Sequence, residues 1–458
     1  MTPRYEASAR HPRPADGFRS GNAPGRTPVV GHLPQLVRNP WPFLASLPRY
    51  GDLVTVMIGP RALHMVCDPD LLHQVLVDDR TFDKGGPLFD KAREVLGDGL
   101  PVCPHAQHRR LRRLVQPAFH PTRMPGYSAL MGEQITEVID GWQDGQVIDA
   151  LSAAHEIATG IATSTMFSTR LDAATLAEAR QCVAITMAGI YRRLLTPTAL
   201  ERLPTPANRA YDRARARLHH IVDQIIDEPG RDRTDHGDLL SILLAAGSSG
   251  TDGMTPQEMT DQVVSFFISG ITSVASALAW TLHLITDRPE IAERLQAESD
   301  TVLAGRIATH DDLPRLDLAR RFVTETLRLY PPGWIFTRRV SADTHLAGRR
   351  LAAGTVLAYS PYLLHRRPDL FAHPERFDPD RWLPERAASI AQHAYVPFGA
   401  GPRKCIGEAF TLAQATLVLT SITACWHLRP VAGQTVRPAL RATLIPQRLQ
   451  LEVDSRRT

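Results

Sequence analysis

The sequence has few cysteines for its length, and their spacing does not predict cross-linking. There are five among 458 residues, at positions Cys67, Cys103, Cys182, Cys405 and Cys425. The count is odd, the density is low and there is no Cys-x-x-Cys pair, so neither a disulfide framework nor a structural zinc site is expected. This pattern fits a reducing cytoplasm. Any chemistry at sulfur must rest on a single cysteine.

The sequence also lacks a concentration of charge and a long uninterrupted apolar run. The net charge is only +4, with 22% charged residues, so the basic field typical of nucleic-acid-binding proteins is missing. Residues 1–27 are polar and weakly basic, without the apolar centre of a signal peptide, and we predict a flexible arm there. We expect a cytoplasmic protein with no membrane anchor and no nucleic-acid partner.

The sequence does contain many helical patterns. Two β-prone runs, Leu53–Ile58 and residues 62–67, flank a Gly-Pro-Arg turn and predict a hairpin. The C-terminal third mixes turns with short strands. We therefore predict a mainly α protein with a small β portion. Apolar residues recur at three- and four-residue spacing, which is typical of helices, over residues 133–142, 171–190, 209–227 and 238–246.

The best-defined helix begins after Thr255. Residues 255–258 (TPQE) combine an N-cap threonine, a proline at the first helical position and a capping-box glutamate, and residues 287–289 (DRP) end the run. Its middle is apolar nearly all round, which is typical of a buried helix. Gly270 lies there, where glycine costs about 1 kcal/mol relative to alanine. Close approach of something large and flat explains this glycine, and so does tight helix packing.

The most specific pattern surrounds Cys405. Residues 398–407 read FGAGPRKCIG, which predicts a tight loop followed by a helix over Glu408–Cys425. A cysteine before a helix N-terminus lies among peptide N–H groups that favour the thiolate, and Arg403 adds a positive charge. Such a thiolate can ligate a metal ion. A buried structural cysteine after a glycine turn is the alternative.

This string resembles the haem-binding loop of the cytochrome P450 family, F-G-x-G-x-R-x-C-x-G, without a gap. The resemblance implies haem b as cofactor and Cys405 as the axial ligand of its iron, with Phe398, Arg403 and Gly407 beside it. It also implies a mainly α fold of triangular-prism shape with a small β portion. Residues 28–458 would form one haem-thiolate monooxygenase domain.

A Glu-x-x-Arg motif at Glu325 and Arg328 extends the resemblance. Alone it is weak, because such pairs are common on solvated helices. In the family the pair binds a second, downstream arginine. Arg376, in PERF, has the familiar string, but Arg381, in PDRW, lies closer to the usual distance from Cys405. We predict that Arg381 is the partner.

The run HRRLRR at residues 108–113 is similar to the family helix that binds a haem propionate. The resemblance implies that His108 and Arg112, four residues apart on one helix face, bind the propionates together with Arg338 and Arg403. The other face of a helix is available to solvent, where a basic surface would attract an acidic electron donor. We predict that this outward set comprises Arg109, Arg110 and Arg113.

The resemblance implies that the helix beginning after Thr255 crosses the distal face of the haem, and its sequence departs from the family pattern. The family places an acid and a threonine there to deliver protons to bound dioxygen, whereas this sequence has Thr272 and Ser273 after Gly270. Thr272 and Ser273 are the predicted catalytic positions, with Gly270 against the haem. Three hypotheses remain open: water or a substrate hydroxyl relays protons, peroxide is the oxidant, or the chemistry differs from simple hydroxylation.

The predicted substrate pocket is apolar and has no charged residue clearly assigned to it, which favours a neutral, hydrophobic substrate of modest size. An ordinary core position is the alternative for each of its residues. The predicted wall consists of Phe267, Ile271, Trp334, Ile335 and Phe336.

Residues 189–193 and 203–209 resemble bacterial sesquiterpene oxygenases of the pentalenene oxygenase and albaflavenone synthase kind. This implies insertion of an oxygen atom from O2 into a terpene in secondary metabolism, with electrons from a ferredoxin and its reductase. Polyketides or macrolides and fatty acids are alternative substrates. A haem-binding protein without turnover and a haem-independent cysteine enzyme are rival functions.

Overall fold

The computed structural model describes residues 17–167, 172–196, 198–201, 203–227, 237–247 and 253–456. Helices dominate, and this confirms the mainly α class with a small β portion. The α-helices are α1 Leu33–Arg38, α2 Pro40–Ser46, α3 Pro69–Val77, α4 Pro87–Leu96, α5 His105–Val115, α6 Met124–Ile139, α7 Ala150–Met166, α8 Ala173–Leu195, α9 Thr198–Glu201, α10 Pro206–Ile226, α11 Leu239–Gly247, α12 Pro256–Thr286, α13 Pro289–Leu303, α14 Asp317–Leu329, α15 Pro361–Leu364, α16 Pro384–Ala387 and α17 Glu408–Cys425. The strands are β1 Ser20–Asn22, β2 Leu53–Ile58, β3 Arg61–Val66, β4 Phe82–Asp83, β5 Gln146–Asp149, β6 Phe336–Val340, β7 Thr344–Leu346, β8 Arg349–Leu351, β9 Val356–Tyr359, β10 Trp426–Pro430, β11 Pro438–Leu440, β12 Leu444–Pro446 and β13 Gln450–Ser455.

The chain groups into two compact units, each built from two chain segments. The sheet unit comprises Met1–Asp90 and Gly333–Cys405, and the helical unit comprises Lys91–Pro332 and Ile406–Thr458. The single domain over residues 28–458 stays a prediction.

The sheet unit is organised by a six-stranded sheet with the order β1-β2-β3-β9-β6-β4. The predicted hairpin is present: β2 and β3 pair antiparallel from Leu53 opposite Val66 to Ile58 opposite Arg61. Apolar side chains of the sheet and of α3 share one core, which includes Leu53, Leu71 and Leu357. The loop that carries Cys405 ends this unit.

The predicted flexible arm over residues 1–27 needs correction for its described part. Ser20–Asn22 pairs as a parallel strand with β2, and the buried Ala23 donates its N–H to the Thr55 carbonyl at 2.9 Å. Backbone pairing to a strand thirty residues later has no local sequence signal. Residues 1–16 of the arm lie outside the described residues.

The helical unit is built around α12. Its N-terminus has the predicted capping box, in which Glu258 N donates to Thr255 Oγ1 at 3.2 Å and Thr255 N donates to Glu258 Oε2 at 3.0 Å. The helix ends at Thr286, before the predicted stop. Helices α7, α10, α14 and α17 all pack against it. The helix of residues Glu408–Cys425 is also confirmed.

Helices α12 and α17 are long and apolar enough, by length and composition, to cross a membrane. In the most apolar 18-residue stretch of each helix, 83% of α12 and 67% of α17 is buried inside the protein. Such burial is typical of core helices in a folded domain.

The other predicted helices are present with shifted bounds. Helix α6 begins at Met124, before the predicted start at residue 133, and α10 begins at Pro206, before residue 209. Both have a proline in the first turn, a start signal that the apolar spacing did not include. Between α8 and α10 lies the short helix α9.

Candidate functional site

The loop at residues 398–407 is fixed by its backbone. Gly399 and Gly401 have φ of +72° and +67°, in the left-handed region that glycine adopts readily. A Cβ at Gly401 would clash with the Leu76 carbonyl. Cys405 N donates to the Phe398 carbonyl at 2.9 Å and closes the loop. The backbone of Cys405 is thereby held in one position.

Cys405 is exposed, whereas Cys67, Cys103, Cys182 and Cys425 are buried. Burial raises the pKa of the Cys67 thiol to about 12 and also raises the pKa of Cys182, which disfavours the thiolate needed by a metal. The structure therefore removes the alternative of a buried structural cysteine at position 405.

Arg338, on β6, is a buried cation with unused donors. The side chain is 3% exposed, and its Nε and Nη1 have no hydrogen-bond partner among the described residues. Leaving buried guanidinium N–H groups without an acceptor is costly. A carboxylate is the acceptor whose shape and charge suit them best. A propionate of haem has that chemistry, so Arg338 fits the predicted role.

Arg403, predicted for the same role, already has carboxylate neighbours. Its Nη2 lies 3.2 Å from Asp83 Oδ1, and its Nε lies 3.9 Å from Asp79 Oδ2. A fully buried guanidinium needs such counter-charge. Arg403 therefore differs from Arg338 in having protein carboxylates beside it, and its role at the propionates stays a prediction.

Helix α5 has two faces, as predicted, with one correction. His108 is buried, Arg112 is half-buried on the same face, and Arg109 and Arg113 are exposed. Arg110 does not point outward: it forms an ion pair with Glu258 and donates to the Gly253 carbonyl at 2.9 Å. The Glu258 carboxylate in the first turn of α12 attracts this cation, and the two residues are distant in sequence.

The Glu325–Arg328 pair is fully buried in α14. Two hydrogen bonds of 2.8 Å join the guanidinium to the carboxylate, so the alternative of a solvated salt bridge does not apply. In the sheet unit, Arg381 is buried and donates to the carbonyls of Ala372 and His373 at 2.7 and 3.3 Å, whereas Arg376 is exposed. This burial supports Arg381 over Arg376, and its contact with the pair stays a prediction.

The middle of α12 is open along one stripe. Between Met259 and Leu282 all positions are buried except Ser269, Gly270, Thr272 and Ser273, which are half-buried. At about 100° per residue these four share one side of the helix. Thr272 Oγ1 donates to the Ile268 carbonyl at 2.8 Å and Ser273 Oγ to the Ser269 carbonyl at 2.6 Å. Ser269 was not among the residues that the sequence predicted for the site.

Two glycines are not required by protein packing. Within the part of the chain that the structure describes, a Cβ on Gly270 would meet only the Ala162 Cβ, at 3.7 Å, and one on Gly407 would meet only the Phe119 ring, at 3.8 Å. Both distances are ordinary contacts. Tight helix packing therefore does not explain Gly270, and the approach of a large, flat group remains the better explanation.

Residues 22–453 match the family model Cytochrome P450. The chain belongs to the cytochrome P450 family. It is 46% identical to cyclooctat-9-en-7-ol 5-monooxygenase of Streptomyces melanosporofaciens, over 94% of each chain. It is 42% identical to pentalenene oxygenase of Streptomyces avermitilis, over 96% of this chain and 98% of that one. The haem domain of cytochrome P450DA is similar in structure, with a TM-score of 0.85, 27% identity and coverage of 96% and 98%.

This P450 is a monooxygenase with haem b as cofactor, and it acts on a hydrophobic substrate with O2 and a redox partner. The residues present fit the cofactor: an exposed cysteine thiol, a buried arginine with unused donors and two glycines that leave space. Haem ligated by a thiolate supplies the activation of O2 for insertion of one oxygen atom.

The predicted substrate wall of the P450 is only partly supported. Phe267 and Ile271 are each 2% exposed, because they lie about 160° and 200° around α12 from Ser269, on the opposite side of the helix. They belong to the core, and Phe267 packs against Phe167 with ring centroids 6.2 Å apart. Phe266, about 60° from Ser269, lies nearer the stripe.

In the sheet unit, Trp334, Ile335 and Phe336 are half-buried. Trp334 packs edge-on against Trp41 at 5.6 Å, and Phe336 stacks on Tyr359 at 5.4 Å. The structure does not separate Ile335 from its two neighbours by burial, and all three stay predicted substrate contacts.

Proposed function

We propose that this P450 oxidises a neutral terpene in the cytoplasm, in secondary metabolism, with electrons from a ferredoxin and its reductase. The observation that carries the proposal is the 42–46% identity, along nearly the whole chain, to oxygenases named for pentalenene and cyclooctat-9-en-7-ol. The open stripe of α12 supports it, because it has small hydroxyls and no ionisable group. An apolar ligand with at most an occasional hydroxyl matches such a surface.

In this proposal Cys405 binds the iron, with Phe398 and Gly407 against the haem on the same side. His108, Arg112, Arg338 and Arg403 hold the propionates. Arg338 has the strongest support, because its buried Nε and Nη1 have no hydrogen-bond partner among the described residues. The Glu325–Arg328 pair and Arg381 stabilise the cysteine-bearing side of the fold.

Thr272 and Ser273 act on the distal side as acceptors. Their protons are donated to the helix carbonyls of Ile268 and Ser269, so each hydroxyl oxygen keeps lone pairs that can accept from water. No carboxylate lies on the open stripe, so protons must reach the site through water or a hydroxyl of the substrate. The rotation of a hydroxyl away from its helix carbonyl allows it to donate in turn.

Electron delivery is assigned to the exposed cations of α5. Arg109 and Arg113 are exposed and lie about 100° and 140° around the helix from the buried His108. A basic surface of this kind raises the encounter rate of an acidic ferredoxin, and this effect falls with ionic strength.

The test begins with the carbon monoxide difference spectrum of the reduced protein and its haem content. A strongly red-shifted thiolate-type Soret band is expected, and a histidine-type band or a lack of haem would contradict the assignment of Cys405. Pentalenene and cyclooctat-9-en-7-ol are then titrated as probes, with a C12 fatty acid as the matched alternative. A high-spin shift with a terpene but not with the fatty acid is expected, and the reverse order would overturn the terpene proposal. Product formation coupled to NADPH and O2 excludes a haem protein without turnover.

A further inference from the structure

The hairpin β11–β12 in the helical unit is too small to fix its own position. Its strands have three residues each, with Pro438 opposite Pro446 and Leu440 opposite Leu444. The two prolines at its open end have no N–H to donate. An isolated two-stranded hairpin is marginally stable even when longer. Its position therefore depends on contacts with the rest of the unit.

One residue of the hairpin supplies those contacts through its backbone. The Leu444 carbonyl accepts from Ser276 Oγ and from Trp280 Nε1, both at 2.7 Å, and Leu444 N donates to the Pro332 carbonyl at 3.0 Å. Ser276 and Trp280 are fully buried. Both backbone groups of Leu444 are thus bonded outside the hairpin.

The indole donor is itself held in place. The Trp280 ring stacks on Tyr330 with centroids 3.7 Å apart and an angle of 3° between planes. Tyr330 follows α14 directly and precedes Pro332, which accepts from Leu444. The hairpin is therefore joined to α12 and to the segment after α14 at one point.

That point lies on the open side of α12. Ser269, Ser273, Ser276 and Trp280 follow one another at spacings of three and four residues, so they share one face of the helix. The hairpin covers this face at Ser276 and Trp280, next to the open stripe at Ser269 and Ser273. At its tip, the Arg441 charge opposes the rise in the Tyr191 pKa caused by burial, which places the tip near α8.

We propose that Ser276 and Trp280 are positioning residues of this P450, which fix the hairpin as one wall of the substrate space and thereby determine which ligand shapes and which substrate carbons are accepted. The part that concerns regioselectivity rests on the proposed terpene function. Small displacements of a wall have large effects on which atom reacts, because reaction needs a narrow range of distances.

The variants are Ser276→Ala, which removes one donor at nearly constant volume, and Trp280→Phe, which removes the indole donor and keeps an aromatic ring but leaves a small cavity. Thr281→Ala is the matched control, because Thr281 is equally buried on α12 and, among the described residues, donates only to the Ala277 carbonyl, at 2.9 Å. The carbon monoxide band and the melting temperature of each variant show that it is folded and loaded with haem.

The first readout is hydrogen–deuterium exchange of residues 438–446 in the purified enzyme. Loss of one hydrogen bond should make exchange about three- to tenfold faster in both variants, with no change in the control. The second readout is the affinity for azoles of graded size, from imidazole to 4-phenylimidazole to clotrimazole. Both variants should favour the largest azole over imidazole by at least about threefold relative to wild type and control.

The third readout is the ratio of oxidation products from pentalenene or cyclooctat-9-en-7-ol, which should shift in both variants and not in Thr281→Ala. Unchanged exchange in the hairpin would overturn the anchoring role. Faster exchange with unchanged azole selectivity would overturn the role in shaping the site. Failure of wild type to oxidise either terpene contradicts the proposed function instead, and the exchange and azole results still decide the positioning role.

Discussion

The loop at residues 398–407 and the open stripe of α12 are both assigned to the haem, yet they reach their roles differently. In the loop, two left-handed glycines and one backbone hydrogen bond hold a single exposed thiol. On α12, four small positions share the surface, and both hydroxyls with a predicted catalytic role donate to their own helix. The role of the loop therefore depends on one atom, the sulfur of Cys405. The role of the stripe depends on the space that small residues leave and on hydroxyl oxygens that accept hydrogen bonds.

This difference leads to different expectations for mutation. Replacement of the Cys405 sulfur should abolish activity. Replacement of one residue of the stripe should reduce activity only in part, since neighbouring small residues and water also contribute to haem packing and proton delivery. The predictions below test that contrast from the largest effect to the smallest.

Cys405→Ser should abolish the thiolate-type carbon monoxide band and monooxygenase turnover. The protein should stay folded, because the side chain is exposed and the backbone bond to Phe398 is kept. Difference spectra and circular dichroism measure the two effects. Cys425→Ala is the control: it should lower stability through a cavity but keep the band. Retention of the band in Cys405→Ser would disprove the assignment.

Arg338→Gln should weaken haem retention by about 10- to 100-fold, the loss expected for charge-assisted hydrogen bonds. The haem-free form should not lose stability, because a buried guanidinium with unused donors is removed. Haem transfer to apomyoglobin measures the first effect and thermal melting the second. The neighbour Arg339, exposed and paired with Asp90, provides the control Arg339→Gln, which should retain haem like wild type. Equal retention in both variants would remove Arg338 from the haem site.

Ser273→Ala should lower the product formed per NADPH by about fivefold, the effect of one hydrogen bond of roughly 1 kcal/mol. The carbon monoxide band should be unchanged. Thr272→Asp provides the opposite test, since it adds a carboxylate to the stripe and should raise coupling if proton delivery limits it. Unchanged coupling in both variants would indicate that neither hydroxyl holds the water that supplies protons.

Gly270→Ala should act with opposite signs on the two forms of the protein. The haem-free form should gain up to about 1 kcal/mol of stability from helix propensity, since the new methyl meets only Ala162 at an ordinary distance. Haem binding should weaken, because the methyl occupies the space assigned to the haem. Gly126→Ala, on α6, should stabilise both forms equally, because no heavy atom of the described residues lies within 4 Å of the new Cβ. Melting curves with and without haem separate these outcomes.

The parts of the structure that local signals determine were predictable from the sequence. The N-cap threonine, proline and glutamate at residues 255–258 predict the start of α12, and the loop pattern identifies Cys405. The side of α12 that faces open space was not predictable, because the helix middle is apolar nearly all round and only its neighbours distinguish the sides. Phe267 and Ile271 were placed on the wrong side for that reason.

Pairings between distant segments were missed for a related reason. The Arg110–Glu258 ion pair and the strand β1 depend on which segments meet after folding. Either residue of such a pair has an equally good local alternative in solvent. The hydrogen bonds from Ser276 and Trp280 to the Leu444 carbonyl were also not predictable, since a backbone carbonyl has no sequence signature.

The burial of four cysteines beside one exposed cysteine also gives the protein a built-in reporter of cofactor loading. A thiol-specific alkylating reagent should react first with Cys405, and ligation of that sulfur by iron blocks the reaction. The fraction of chains that a brief labelling step modifies is then the fraction without haem. Preparations can be graded in this way without a spectrum.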